Sequence, residues 1–156
     1  MSLTSAEYAK ARAVHAALAA NAELAPLLVD EVLSPDDQVR QLETAAALQG
    51  RCIAVSVGAP EVGALDREGF PGTSQLQAAI TIEVLAKREL NEGAHEAVCA
   101  MQDEVLRVLH REFTDTDSPV YWPQLASVAE VDLSGTSLPA DTCCRQITMN
   151  FHCYMI

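Results

Sequence analysis

A change of hydrophobic period, made twice along the chain, constrains the fold more than any other feature. From about Glu92 to Glu112, Ala94, Val98, Met101, Val105 and Leu109 recur at spacings of three and four, and Ala97 and Val108 widen the stripe. Gln102, Asp103, Arg107 and Arg111 fall largely elsewhere, so the segment reads as an amphipathic helix. On both sides of it the period is two. Leu76, Ala78, Ile80, Ile82, Val84 and Ala86 share one face, opposite Gln77, Thr81, Glu83 and Lys87. Earlier, Ile53, Val55 and Val57 alternate with Ala54 and Ser56. After the helix, Leu125, Ser127, Ala129, Val131 and Leu133 alternate with Val128, Glu130 and Asp132. The strictest run closes the chain, with Ile147, Met149, Phe151, Cys153 and Met155 facing away from Gln146, Thr148, Asn150 and His152. Each of these four runs reads as a strand.

The N-terminal third is helical in character. Thr4-Ser5-Ala6-Glu7 forms a capping box, Tyr8 to Ala20 is rich in good helix formers, and Asn21 is placed to close the helix. Pro26 can start a short helix within the mostly apolar Glu23–Leu33. Ser34-Pro35-Asp36-Asp37 is a further start signal, with a cap, a proline at the first helical position and two acids on the positive dipole end. That helix runs to about Gln49, and Gly50 stops it. The order α-α-β-β-α-β-β predicts an α+β fold in one domain spanning 1–156. Its sheet is mostly antiparallel, of about four strands, with helices packed on one face. Between the first two strands lies GAPEVGALDREGFPGTS, Gly58 to Ser74, a stretch long and glycine-rich enough to expect a functional or mobile loop.

Charge removes several classes of function. Ten Lys and Arg against 22 Asp and Glu leave a formal net charge of -12. Nucleic-acid binding needs a cluster of cations to displace phosphate counterions, and the nearest candidate is the single pair Lys87 and Arg88. An anionic membrane surface is disfavoured in the same way, and apolar stretches such as Ala13–Ala20 are too short to span a bilayer. Aromatic residues make up only 4%, so the core must come from Ala, Val, Leu, Ile and Met.

No catalytic or cofactor motif is found. Five cysteines at 52, 99, 143, 144 and 153 include no C-x-x-C, and MSLTSAEYAK has no signal-peptide pattern, so reduced thiols in a cytoplasmic protein are expected. Cys144 and His152 lie roughly 26 Å apart along an extended strand, too far to share one metal ion. Asp115-Thr116-Asp117-Ser118-Pro119 lacks the glycine and late glutamate of a calcium loop. There is no G-x-S-x-G, and the glycine-rich stretch leads into a strand, not a phosphate-cradling helix. His15 is expected to be a surface or packed residue of the first helix, His110 to favour the dipole at the end of the long helix, and His95 begins that helix without an evident partner. No enzyme activity, cofactor or metal is therefore expected. The alternative is a small cytoplasmic α+β ligand-binding domain or enzyme whose site is assembled from scattered residues.

The segments LQAAITIEVLAKR, GAHEAVCAMQDEVLRVLHREF and CRQITMNFHCYMI, with the N-terminal helix before them, resemble the bacteriophage tail terminator (tail completion, minor tail) proteins. What the resemblance implies is a structural protein of a phage or prophage tail. It would form a ring, usually homo-hexameric, that caps the tail tube and joins it to the neck. Its partners would be further copies of itself and the tail tube and neck proteins. It would be found in the host cytoplasm during assembly and in the virion tail thereafter. On that reading the loop Gly58–Ser74 is the candidate assembly region. Its glycines allow rearrangement, and Glu61, Asp66, Arg67, Phe70 and Pro71 are the candidate contact residues, Phe70 beside Pro71 being the apolar anchor.

Overall fold

The structure is a computed structural model that describes residues 6–34, 50–58, 61–64, 74–87, 93–113, 124–133 and 142–155. Helix α1 spans Ala6–Ala19, a single 3-10 turn spans Ala25–Leu27, and the long helix α2 spans Ala94–Glu112. The strands are β1 Arg51–Val57, β2 Glu61–Ala64, β3 Ser74–Lys87, β4 Gln124–Glu130 and β5 Thr142–Met155. All named strands pair antiparallel in the order β1-β3-β5-β4, and β2 pairs with β3 beyond the end of β1. The fold is α+β, as the alternating periods require. The helix proposed for Ser34–Gln49 lies outside the described residues apart from Ser34, as does the acidic run at 115–119.

Helix α2 buries Ala94, Ala97, Val98, Met101, Val105, Val108 and Leu109, the full stripe read from its spacing. All of these but Ala94 join Ala11, Val14 and Leu18 of α1 over Ile53, Val55, Val57, Ile80, Ile82, Val84, Ile147 and Met149. Both described helices thus cover one face of the sheet. Fully burying aliphatic side chains such as Val105 and Ile82 stabilises the fold by about 1.5–3 kcal/mol each. Asn21 does not close α1 with a left-handed residue, since no residue other than glycine has positive φ among the described residues. Its Oδ1 instead accepts from the backbone N–H of Glu23 and Leu24, and its Nδ2 donates to Glu104 Oε1 at 2.8 Å, tying the end of α1 to α2. Gly50 takes the positive φ of 71°, where a Cβ would be strained, and turns the chain into β1.

The opposite face is also buried in this half of the sheet. Leu33 and Val29 pack on Cys52 and Ala54, while Val131 and Leu133 pack on Leu85 and Cys144. Residues 28–33 run along the outer edge of β1, bridging in parallel at Leu28–Ile53 and Leu33–Ser56. His15 Nε2 donates to the Val29 carbonyl at 2.7 Å and anchors that segment to α1.

Two strand expectations need correction. In β4, Leu125 faces Met149 but Ser127 faces Thr148, so one extra residue between them shifts the register. Beyond this bulge Val128 and Glu130 share the helix side with Ile147 and Arg145, and Ser127 and Ala129 take the other side. Leu125, Ser127 and Ala129 therefore do not share a face. The second correction concerns the loop from Gly58 to Ser74. It contains β2, and β3 starts at Ser74, two residues earlier than its apolar alternation shows.

Candidate functional site

Among the described residues, two places combine unusual geometry with chemistry-bearing residues. The first is the far half of the sheet. Strands β3 and β5 pair over 14 residues, from Ser74–Met155 to Lys87–Thr142, whereas β1 and β4 each have 7. At about 3.3 Å per residue β3 is about 46 Å long, while α2, with 19 residues at about 1.5 Å, is only about 28 Å. The helix cannot cover both halves. In the far half, Val62 pairs with Leu76 and Leu76 with Cys153, so β2, β3 and β5 continue the sheet there.

The hairpin of β2 and β3 belongs to this far half. Val57 pairs with Ile80 and Glu61 with Gln77, so four steps on one side answer three on the other. Gly58 fits here because its N–H donates to Ala79 O at 2.8 Å and a Cβ would lie only 3.3 Å from that oxygen. Of the proposed contact residues, Glu61 is the first residue of β2, opposite Gln77. Asp66, Arg67, Phe70 and Pro71 lie outside the described residues, between the paired ends Ala64 and Ser74.

The second place is a cleft of about 220 Å³ at the opposite end, lined by His95, Val98, Glu130, Thr142, Cys143 and Arg145 among others. Arg145 Nη1 donates to Gln102 Oε1 at 2.7 Å, and Nη2 donates to Glu130 Oε1 at 3.2 Å and lies 3.1 Å from His95 Nε2. His95 Nε2 is 3.4 Å from Glu130 Oε1, and its Nδ1 is 3.8 Å from Cys99 Sγ. His95 therefore has partners that sequence reading missed. Only Cys99, one helical turn along, was visible locally. Glu130 and Arg145 stand 35 and 50 residues away and meet it through the pairing of β4 with β5.

Thiol, imidazole and carboxylate in this order invite comparison with a catalytic triad, but the surroundings do not fit one. Cys99 sits inside α2, whose carbonyls occupy the nearby N–H groups that an oxyanion would need. Arg145 satisfies Glu130 and Gln102 directly, so the cluster's charges answer one another. The cleft is also smaller than the roughly 300 Å³ at which small-molecule sites begin. We read it as the lock that holds α2 against the β4 edge. Among the described residues no group of three or more His, Cys, Asp or Glu side chains is placed to hold a metal ion. Nor is any helix among them long and apolar enough to cross a membrane.

No family model and no curated protein matches this chain.

Proposed function

We propose that this chain is a structural subunit of a phage or prophage tail, a terminator that closes the tail tube as a homo-oligomeric ring and joins it to the neck. The observation that carries the reading is the length mismatch between strands and helix, about 46 Å against about 28 Å. Among the described residues the paired strands outrun α2, and that mismatch supports a reading in which the far half of the sheet meets other protein. The β2–β3 hairpin and the segment 65–73 that closes it would dock on neighbouring subunits and on the tube, and the reading calls for no cofactor.

The His95–Arg145 cleft favours a second reading, a small ligand-binding or enzymatic domain. Its size and its internally matched charges weigh against that. The two readings part in a phage lysate. Deleting the gene should yield tails of abnormal length or tails unable to join heads, seen by electron microscopy. Replacing 65–73 by a tight turn should give the same defect while the purified variant keeps the parent's melting temperature. Infectious particles of normal length from the gene deletion would overturn the tail reading. Normal particles from the turn variant alone would remove 65–73 from the mechanism.

A further inference from the structure

Arg145 dictates the form of the His95 ring. A guanidinium donates through its nitrogens and accepts through none. Its Nη2 carries two hydrogens and has two neighbours within reach, Glu130 Oε1 at 3.2 Å and His95 Nε2 at 3.1 Å. Nε2 is therefore the accepting nitrogen of a neutral ring. The ring hydrogen then sits on Nδ1, facing Cys99 Sγ at 3.8 Å. Nε2 and Glu130 Oε1 lie 3.4 Å apart with no hydrogen between them, since both accept from the same nitrogen. A proton added at Nε2 reverses both contacts. The new N–H meets a second cation at Arg145 and becomes a donor to Glu130.

The three side chains are not equally free to respond. Arg145 is held a second time, by Nη1 to Gln102 Oε1 at 2.7 Å, and its side chain is only 22% exposed. The side chains of His95 and Glu130 are 63% and 68% exposed. The ring is thus the part that moves, away from the guanidinium and towards the carboxylate. Besides Cys99, Glu130 and Arg145, the titratable groups around it are Glu96 beside it on α2, Asp132 just beyond β4, and Cys143 on β5. We propose that His95 is a proton-operated latch at the start of α2. Neutral, it ties the first turn of the helix to Arg145 on β5. Protonated, it ties that turn to Glu130 on β4, the next strand out in the order β1-β3-β5-β4. Imidazoles change charge between about pH 5 and pH 8, so the exchange of strands falls in that range.

Nuclear magnetic resonance on the whole chain tests the latch. At about pH 8 long-range proton–nitrogen spectra should show His95 as the Nδ1–H tautomer, with Overhauser contacts from its ring to the Arg145 side chain. At about pH 5.5 those contacts should be lost and contacts to the Glu130 side chain gained. Glu130→Ala removes the acceptor at an exposed position. It should keep the tautomer and lose the Arg145 contacts in acid without gaining any to residue 130. An Nε2–H tautomer in the neutral ring, or the same ring contacts at both pH values, would overturn the latch. So would an acid-induced contact to residue 130 that survives in Glu130→Ala, since packing and not charge would then move the ring.

Discussion

Cys52 and Cys144 show what a single position in this sheet does to its side chain. Both lie opposite Leu85, one on each neighbouring strand, and both are buried, at 0% and 4% exposure. Burial pushes the Cys52 thiol from 9.0 up to about 12, and the Glu83 carboxylate adds to the rise. Cys144 is raised by the same two causes in the same order, with Cys52 and Cys143 contributing after them. A thiol whose folded pKa is raised stays protonated while the unfolded chain ionises. Its stabilising contribution is complete below pH 9 and is lost as pH climbs towards the folded value. Each pH unit inside that window costs about 1.4 kcal/mol per thiol. Between pH 8 and about pH 10.5, the parent should therefore lose about 2 kcal/mol more stability than Cys52→Ala does, by urea unfolding at each pH. Equal losses would mean that the Cys52 environment is more polar than its burial shows. The sequence reading counted these thiols among five alike. Their ranking was hidden because it depends on Glu83 and on strands far apart in the chain.

Legibility varied from element to element for identifiable reasons. All seven apolar positions of α2 were readable because a helix repeats its geometry from within, so spacing alone selects the buried face. The alternation of β1 and β3 was readable too, since a regular strand holds its phase. In β4 the phase broke at the bulge between Leu125 and Ser127, which is set by pairing with β5 and leaves no local mark. Strand β2 was lost inside GAPEVGALDREGFPGTS because glycines and prolines conceal a run as short as four residues. The site fared worst. Glu61 was named as a loop residue but begins a strand, and Glu130 and Arg145 reach His95 only through long-range pairing. The α2 assignment carries a sharp expectation. Val105 is 0% exposed against the sheet, so Val105→Asp would bury an unpaired carboxylate and cost about 4 kcal/mol. An unfolding midpoint like the parent's in urea would show that this face is not the core face.

At the scale of the whole molecule, charge bears directly on the proposed assembly. The chain carries a formal net charge of -12, so six copies in the proposed ring would carry a net charge of about -72. That field repels nucleic-acid phosphate, which suits a ring around a DNA passage. Duplex DNA should accordingly show no gel shift with the purified protein at physiological salt, and a salt-sensitive submicromolar shift would contradict this. The same field opposes association of the subunits. A contact held by apolar burial or backbone hydrogen bonds has little attraction of its own for salt to screen. Like-charge repulsion beyond the contact is screened over a Debye length that falls from about 30 Å at 0.01 M to about 3 Å at 1 M salt. Self-association should therefore strengthen with ionic strength. Sedimentation velocity in rising sodium chloride should show the weight-average mass increasing, with most of the change below about 0.3 M, where the Debye length shortens fastest. A mass that falls as salt rises would mean that opposite charges hold the copies together. The contact would then have to be sought among oppositely charged residues.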